Sequence, residues 1–310
     1  MDRDAVSYAR KDRSEPQIRF TVVIPARNEE SSIATCVNSV RKAAERASEE
    51  LSAVAEVVVV DDGSSDATGI RAEASGVRVL RHEQQRGVLA AWNTGVKASG
   101  TPFVVFVDAD CIVDERAFVQ LLQAIKQPGV GVVSGRAVPG IDELFDGNQG
   151  SGSRSALVSH SSRFSAVLLD EIKGRLGDHD FIAIGRLMAI RREAWSVHNV
   201  ALPHCDREVA SSARRAGWHA AWVPGAKVYY HAPVSFSELR ADWRRTRLAM
   251  AHSPQTFDTI PLAVQLSAAW AALQGAPLDT LCWVACRARL IGERIQRRDS
   301  VDNNQPVSWD

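Results

Sequence analysis

One apolar run that ends in two acids constrains the fold of this chain more than any other segment. Residues 103–107 read Phe-Val-Val-Phe-Val, and Pro102 precedes them. A short run of β-branched and aromatic residues is typical of a strand buried on both faces of a sheet. Asp108 and Asp110 follow it, at the end of the strand where open α/β sheets bind ligands. Their carboxylates are candidate ligands of a divalent cation such as Mg²⁺, although an isolated Asp-x-Asp also fits a solvated turn.

Three similar runs precede this strand, and a helical pattern follows each of them. The predicted strands cover residues 20–24, 56–60 and 77–80. Strands that alternate with helices favour an α/β fold with a parallel sheet and right-handed crossovers. The first, second and fourth strands then bring acids or amides to one edge of the sheet. A simpler interpretation of the first of these groups is that Asn28 and the two acids after it cap and start the next helix.

The polar residues at this edge indicate a nucleotide-sugar as the ligand. Glu29, Asp61 and Asp62 can accept hydrogen bonds from a base and from ribose hydroxyls. Asp108 and Asp110 can hold a cation that neutralises a diphosphate. No Gly-x-Gly-x-x-Gly or Gly-Lys-Ser loop follows any of these strands, which argues against a dinucleotide dehydrogenase and a P-loop enzyme.

The composition restricts the class of protein further. The chain has 310 residues with 37 basic and 37 acidic side chains, so no excess charge favours nucleic acid as a partner. Its five cysteines form no Cys-x-x-Cys pair, and residues 1–17 hold no apolar signal-peptide core. We therefore predict a cytoplasmic enzyme with reduced thiols and a flexible amino-terminal arm over residues 1–17.

Four motifs in this order resemble those of family 2 glycosyltransferases, which have the GT-A fold. They are Val-Val-Ile-Pro-Ala-Arg-Asn-Glu at 22–29, Val-Val-Asp-Asp-Gly-Ser-Ser-Asp at 59–66, Arg86-Gly87 with Ala90, Asn93 and Gly95, and Val-Asp-Ala-Asp at 107–110. The resemblance implies a Rossmann-like α/β/α sandwich with a mostly parallel sheet, and an inverting, metal-dependent sugar transfer. By that resemblance, Pro25, Glu29 and Asp62 contact the nucleoside, and Asp110 binds the metal that bridges the donor phosphates.

Together, the motifs and the chemistry of the edge give two sets of candidate residues. Those for the nucleotide-sugar are Pro25, Ala26, Arg27, Glu29, Asp61, Asp62, Arg86, Asp108, Ala109 and Asp110. Those for a Mg²⁺ or Mn²⁺ ion are Asp108, Asp110 and His231. His231 resembles a histidine that approaches the phosphates or the metal in some relatives, and a structural histidine is the alternative.

The second half of the chain resembles the acceptor side of the same family. Gly185 stands where a small residue leaves room for the sugar, whereas Arg186 is bulkier than the residue usual there. This difference bears on the size of the sugar pocket. Asp206 takes the position of the catalytic aspartate, with Cys205 in place of the usual Glu. Without the resemblance, Asp206 reads as the N-cap of the next helix, a role that is compatible with catalysis.

Several elements are predicted locally in this half. Residues 129–135 read as a strand, residues 154–173 as a helix, and residues 221–224 and 227–231 as the two arms of a hairpin. The loop at 138–155 is rich in Gly, Ser and Asp and is either a connector or a lid over the donor site.

We divide the chain into an arm, a catalytic domain and a helical extension. The catalytic domain covers residues 18–234, with a nucleotide-sugar half at 18–128 and an acceptor half at 129–234. In the C-terminal helical extension, residues 235–310, the uncharged stretch 260–278 is long enough for a bilayer, but its composition favours a packed helix. The last helix is basic and amphipathic, which fits peripheral contact with the inner face of a membrane, a homodimer face or packing on the catalytic domain.

The sequence as a whole predicts an inverting glycosyltransferase that moves one sugar from a nucleoside diphosphate sugar, with UDP favoured, to an acceptor nucleophile. The acceptor class (small molecule, glycan, lipid or peptide) is left open. Two alternatives remain. A sugar nucleotidyltransferase would need a glycine-rich loop with a basic residue after the first strand, and none is present. A non-catalytic nucleotide-sugar-binding protein is kept open by Cys205 and Arg186.

Overall fold

Strands and helices alternate through the part of the chain that the computed structural model describes, which is residues 18–140, 156–176, 185–196, 205–233, 235–241, 262–275 and 277–302. The strands are β1 (Arg19–Ala26), β2 (Val54–Asp61), β3 (Arg78–Arg81), β4 (Phe103–Val107), β5 (Cys111–Val113), β6 (Val130–Pro139), β7 (Leu187–Arg191) and β8 (His219–Tyr230). The helices are α1 (Ile33–Leu51), α2 (Thr68–Ala74), α3 (Val88–Ala98), α4 (Ala117–Ile125), α5 (Ala156–Leu176), α6 (Cys205–Arg215), α7 (236–241), α8 (Leu262–Gly275) and α9 (Pro277–Asp302). The predicted arm and most of the 138–155 loop lie outside the described residues.

The described strands form one sheet in the order β3-β2-β1-β4-β7-β6-β8-β5. β1 pairs in parallel with β2 and β4, β2 with β3, and β6 with β8. β7 runs antiparallel between β4 and β6, and β5 antiparallel to β8. The prediction of a mostly parallel sheet is confirmed. Because β7 is reversed, its first residues lie at the edge where β1, β2 and β4 end.

Alternate residues of the central strands enter two cores on opposite faces of the sheet. In β4, Val105 and Val107 pack with α1 and α4, while Val104 and Phe106 pack with α3 and α6. All four side chains are fully buried. A strand covered on both faces carries no polar face, which explains the continuous apolar run in the sequence. The layers form the α/β/α sandwich that the sequence predicted.

Helix α3 lies close to β1 at Gly95. A Cβ added to Gly95 would come within 2.3 Å of Val23 Cγ1. That distance is far below van der Waals contact, so glycine at this position allows the close approach. The same helix places Trp92 against Phe106, with ring centroids 4.8 Å apart. The close packing fixes the start of α3, which follows the loop at residues 82–87.

The predicted hairpin at 221–231 is wrong. Residues 219–230 form the single strand β8, which pairs with β6 before and after an irregularity. Both segments run parallel to the same neighbour, so the Pro224-Gly225 pair produces a bulge in the ladder and not a reversal of the chain.

The capping interpretation of Asn28 is also wrong. Helix α1 begins at Ile33, and no acid lies in its first turn. Asn28 adopts a φ of 56° in the left-handed region, which asparagine tolerates better than most residues. Its side-chain oxygen accepts a hydrogen bond from the backbone N–H of Ser65, 2.9 Å away. Asn28 therefore binds the loop after β2 and does not cap α1.

The C-terminal helices pack on α5. α8 and α9 both contact α5, and His160 and Arg163 of α5 pair with Asp279 of α9. In the described part of the chain, no helix combines the length and apolar character needed to cross a membrane. Several large apolar side chains of α8 and α9 are exposed: Trp270, Leu278, Leu281 and Val284. The side chains after Arg289, on which part of the amphipathic prediction rests, lie outside the description.

Candidate active site

The loops after β1 and β2 bind each other through reciprocal hydrogen bonds. The backbone N–H groups of Asn28 and Glu29 donate to the hydroxyls of Ser64 (3.0 Å) and Thr68 (2.7 Å). In the opposite direction, the N–H of Ala67 donates to the carboxylate of Glu30 (3.1 Å). Each loop thus satisfies backbone donors of the other. We call these residues, 28–30 and 64–68, the loop clasp.

Asp62 follows β2 and is buried, with hydrogen bonds to both carboxylate oxygens. Oδ1 accepts from the N–H of Arg86 (2.9 Å) and bonds His82 Nδ1 (2.7 Å), and Oδ2 accepts from the N–H of Gly87 (2.7 Å). Burial raises the pKa of Asp62, but the hydrogen bond from His82 and those from the two amides outweigh it, so the pKa lies below its ordinary value. The carboxylate is therefore an ionised acceptor at neutral pH.

Asp61 does not line the cavity, contrary to its assignment as a nucleoside contact. Its side chain is fully buried and accepts a hydrogen bond from the N–H of Ser64 (2.9 Å). Its Oδ2 lies 3.5 Å from Arg81 Nε. The alternation of a strand explains the difference, because Asp61 is the last residue of β2 and points to the opposite side from Asp62. Asp61 holds the turn that carries the clasp.

A cavity of about 290 Å³ opens at the edge where β1, β2 and β4 end. The predicted residues that line it are Pro25, Ala26, Arg27, Glu29, Asp62, Asp108, Ala109 and Asp110. Gln85, Gly87, Val88 and Ala91 also line it, and the sequence motifs assigned them no contact. Of these, Gly87 belongs to the Arg86-Gly87 motif that suggested the family, so this motif could have predicted its place at the cavity. Arg86 contributes its backbone N–H to Asp62 and is not among the lining residues.

Two acidic side chains of the cavity, Asp108 and Glu29, have a raised pKa. Burial and the negative charge of Asp110 raise the pKa of Asp108 to about 7, and the positive charge of Arg186 opposes the shift. Burial likewise raises the pKa of Glu29, with a smaller contribution from Asp110. Crowded carboxylates with one opposing guanidinium favour binding of a cation.

The residues present fit a divalent metal that a ligand helps to coordinate. Among the described residues, no three His, Cys, Asp or Glu side chains come together as a metal cluster. His231, half-buried after β8, is therefore not brought to the aspartates as a third ligand, and it does not line the cavity. Mg²⁺ is often held by one or two carboxylates, with substrate phosphates and water completing its shell. Asp108 and Asp110 provide such a pair.

The residues that the sequence analysis assigned to the acceptor lie next to this cavity. Asp206, in the first turn of α6, accepts a hydrogen bond from the N–H of Gly185 (3.0 Å). Its negative charge also contributes to the raised pKa of Asp108, so the two carboxylates are neighbours. A Cβ on Gly185 would lie 3.0 Å from the Trp92 ring, which accounts for glycine at this position. The Arg186 guanidinium lies over the Tyr230 ring, 4.2 Å from its centroid.

Residues 21–197 match the sequence model of Glycosyl transferase family 2. Two relatives are glycosyltransferase AglE from Haloferax volcanii (32% identical over 120 residues, 37% of this chain and 38% of the relative) and glucosyl-3-phosphoglycerate synthase from Mycobacterium tuberculosis (35% over 121 residues, 36% of this chain and 35% of the relative). These matches span little more than a third of either relative.

Among solved structures, a mannosyltransferase from Pyrobaculum calidifontis in complex with GDP-Man and Mn²⁺ superposes with a TM-score of 0.55. It is 18% identical, and the alignment covers 94% of this chain and 82% of the other. This likeness supports the fold. The family match covers more than half of the chain, from β1 through β7. The chain therefore belongs to Glycosyl transferase family 2.

Proposed function

We propose that this protein is an inverting, metal-dependent glycosyltransferase that uses a nucleoside diphosphate sugar, with UDP favoured as the carrier. The observation that carries the proposal is that one cavity combines an ionised acceptor for a base, Asp62, with the paired carboxylates Asp108 and Asp110. A nucleoside diphosphate presents both matching groups, since its base offers N–H donors and its phosphates complete a metal shell. A relative supports the proposal, since glucosyl-3-phosphoglycerate synthase from Mycobacterium tuberculosis has been solved in complex with Mn²⁺ and UDP-glucose.

We assign the proton transfer to Asp206. In the reaction, an acceptor oxygen or similar nucleophile forms a bond to the anomeric carbon while the bond from that carbon to the diphosphate breaks. The nucleophile's proton goes to the Asp206 carboxylate, and the nucleoside diphosphate leaves with the electron pair. The N–H of Gly185 orients Asp206 for this role (3.0 Å). A bound divalent cation would neutralise the negative charge of the leaving diphosphate.

Arg27 and Arg186 have separate proposed roles. Arg27 is exposed and lines the cavity, where its charge suits a diphosphate. The positive charge of Arg186 lowers the pKa of Asp108 and so favours the ionised carboxylate that a metal requires. With Gly185, Arg186 forms the floor that we propose for the sugar. The exposed apolar residues of α8 and α9 fit contact with a membrane surface or with a second copy of the chain.

The experiment that tests the function is a titration of nucleoside diphosphates with and without Mg²⁺ or Mn²⁺, followed by thermal unfolding. A ligand that binds the native state raises its stability by mass action. We expect UDP to raise the unfolding temperature only with the metal present. Asp110→Ala should remove this metal dependence, because one carboxylate ligand and its charge are lost. Glu115→Ala is the matched control, since it removes an exposed acid outside the cavity.

Unchanged affinity and metal dependence in Asp110→Ala would contradict the metal assignment. Release of UDP from a UDP-sugar separates the transferase from the alternatives. A sugar nucleotidyltransferase would instead exchange pyrophosphate with the nucleotide-sugar, and a binding protein would leave it intact. Binding with no turnover for any sugar and acceptor would favour the binding protein.

A further inference from the structure

The hydrogen bonds of Asp62 leave one acceptor position for a ligand. An ionised carboxylate has about four lone-pair positions on its two oxygens. His82 and the Arg86 N–H use both positions on Oδ1, and the Gly87 N–H uses one on Oδ2. The remaining position belongs to Oδ2 of a residue that lines the cavity. Asp62 can therefore accept one hydrogen bond from a ligand, and its orientation decides where that bond points.

The partners of Asp62 all lie in the loop at residues 82–87, and one of them, His82, also contacts helix α3. His82 follows β3 and is buried, and it does not line the cavity. Nδ1 lies 2.7 Å from Asp62 Oδ1, and Nε2 lies 2.9 Å from Thr94 Oγ1 on α3. Since an ionised carboxylate only accepts, Nδ1 carries a proton and donates it. Thr94 can either donate to Nε2 or accept from it, so both ring nitrogens are satisfied.

We propose that His82 is a positioning residue that orients Asp62 for recognition of the nucleobase, and that Thr94 holds the His82 ring in place. This inference rests on the proposed function. His82 does not touch the ligand; it occupies Oδ1, so that Oδ2 is the oxygen presented to the cavity. The ligand class that fits is a base with an N–H at the edge that meets Asp62, as in uracil or guanine. Cytosine and adenine have an unprotonated ring nitrogen at the corresponding position.

The alternative is a structural role, in which His82 merely links β3 to α3. The two roles differ in a measurable quantity. Loss of a structural link weakens binding of every nucleotide to a similar degree, because the phosphate and ribose contacts shift together. Loss of the orientation of Asp62 weakens binding of bases with the N–H and leaves the others unchanged. The ratio of two dissociation constants therefore separates positioning from structure.

The experiment measures dissociation constants of UDP and CDP, and of GDP and ADP, at one fixed Mg²⁺ concentration. The two members of each pair have the same diphosphate and differ in whether the ring nitrogen of the base that faces Asp62 carries a proton. We expect wild type to prefer UDP over CDP or GDP over ADP. His82→Gln places its amide near the Nε2 position and has no donor near Nδ1, so the hydrogen bond to Asp62 is lost. The preference for UDP over CDP, or for GDP over ADP, should then fall by about 10-fold, as expected for loss of a hydrogen bond to a charged group. Binding of CDP or ADP should stay unchanged.

Two matched variants complete the test. His82→Asn places an amide N–H near the Nδ1 position, so it should retain most of the preference. Thr94→Val removes the partner of Nε2 and keeps the Nδ1 bond, so we expect a loss smaller than that of His82→Gln. If His82→Gln does not fold at the assay temperature, as judged by thermal unfolding, Thr94→Val and His82→Asn supply the comparison.

Several results would overturn the inference. A His82→Gln variant that keeps the wild-type ratio, or that weakens both members of a pair equally, would show a role in structure alone. A second such result is that wild type binds the nucleoside diphosphates in the presence of metal but prefers neither member of either pair. This would overturn the role of Asp62 in base recognition and leave the metal-dependent function in place. Failure of wild type to bind any of the four nucleotides would overturn the proposed function as well.

Discussion

The proposed donor side and the proposed acceptor side of the cavity edge are held by different kinds of contact. On the donor side, the loop clasp and the hydrogen bonds of Asp62 join segments that follow β1, β2 and β3. On the acceptor side, Asp206 reaches Gly185 from a helix that begins 20 residues later in the chain. The donor side is thus fixed by local motifs, whereas the acceptor side depends on the placement of β7 and α6 against the sheet. We infer that recognition of the donor is more rigidly defined than recognition of the acceptor.

The largest expected effect separates catalysis on the acceptor side from binding on the donor side. Asp206→Asn keeps the size of the side chain and its acceptor oxygen but loses basicity, so transfer should fall by about 10²–10⁴-fold. Affinity for the donor and metal should remain near wild type. Single-turnover transfer and nucleotide titration measure the two quantities. Glu208→Gln, two residues further along α6, is the matched control.

Near-wild-type turnover by Asp206→Asn would refute the assignment and make Glu208 the next candidate. If donor affinity fell as much as turnover, the proposed separation of catalysis by Asp206 from donor binding would be contradicted.

The next prediction concerns the loop clasp. Thr68 is fully buried, and its hydroxyl accepts the Glu29 N–H (2.7 Å). Thr68→Val keeps the shape and leaves that N–H without its partner, which should cost about 1–3 kcal/mol of unfolding free energy. Thr68→Ser retains the hydroxyl and should cost less. Urea denaturation measures the free energy, and a UDP titration shows whether the donor side weakens with it. Equal stability of the two variants would show that the clasp is not held by this bond.

These contacts also show how far the sequence could predict the site. The strand–helix order, the buried strands and the aspartates at the edge follow from periodicity and residue type, so they could be predicted. Asp61 could not be told from Asp62, because the two are adjacent and differ only in the direction in which each side chain points at the end of β2. His82 was missed because a lone histidine between a strand and a loop carries no motif. The reversal of β7 depends on tertiary pairing with β4 and β6, which no local pattern encodes.

The smallest expected effect comes from a comparison of glycine-to-alanine substitutions in two helices, α3 and α5. Gly95→Ala in α3 would place a Cβ 2.3 Å from Val23, so overpacking should destabilise the fold by about 1–3 kcal/mol. Gly174→Ala in α5 meets only the Trp222 ring, at 3.8 Å, and should stabilise the helix by up to about 1 kcal/mol. Opposite signs in thermal unfolding would confirm the contrast. Stabilisation by both would mean that α3 can move away from β1 at little cost.

The reversed strand β7 makes the two sides separable in design. Its register with β4 is set over Leu187–Arg191, and Gly185 and Arg186 precede that ladder. The side chains at these two positions can be exchanged without shifting the ladder, since the strand pairing begins at Leu187 and the hydrogen bond from the Asp108 N–H to the Arg186 carbonyl (3.4 Å) involves backbone atoms alone. The donor side carries no such freedom, because its loops are tied to each other. Exchange of the residues before Leu187 for those of another family member is therefore a route to a new acceptor preference with the donor unchanged.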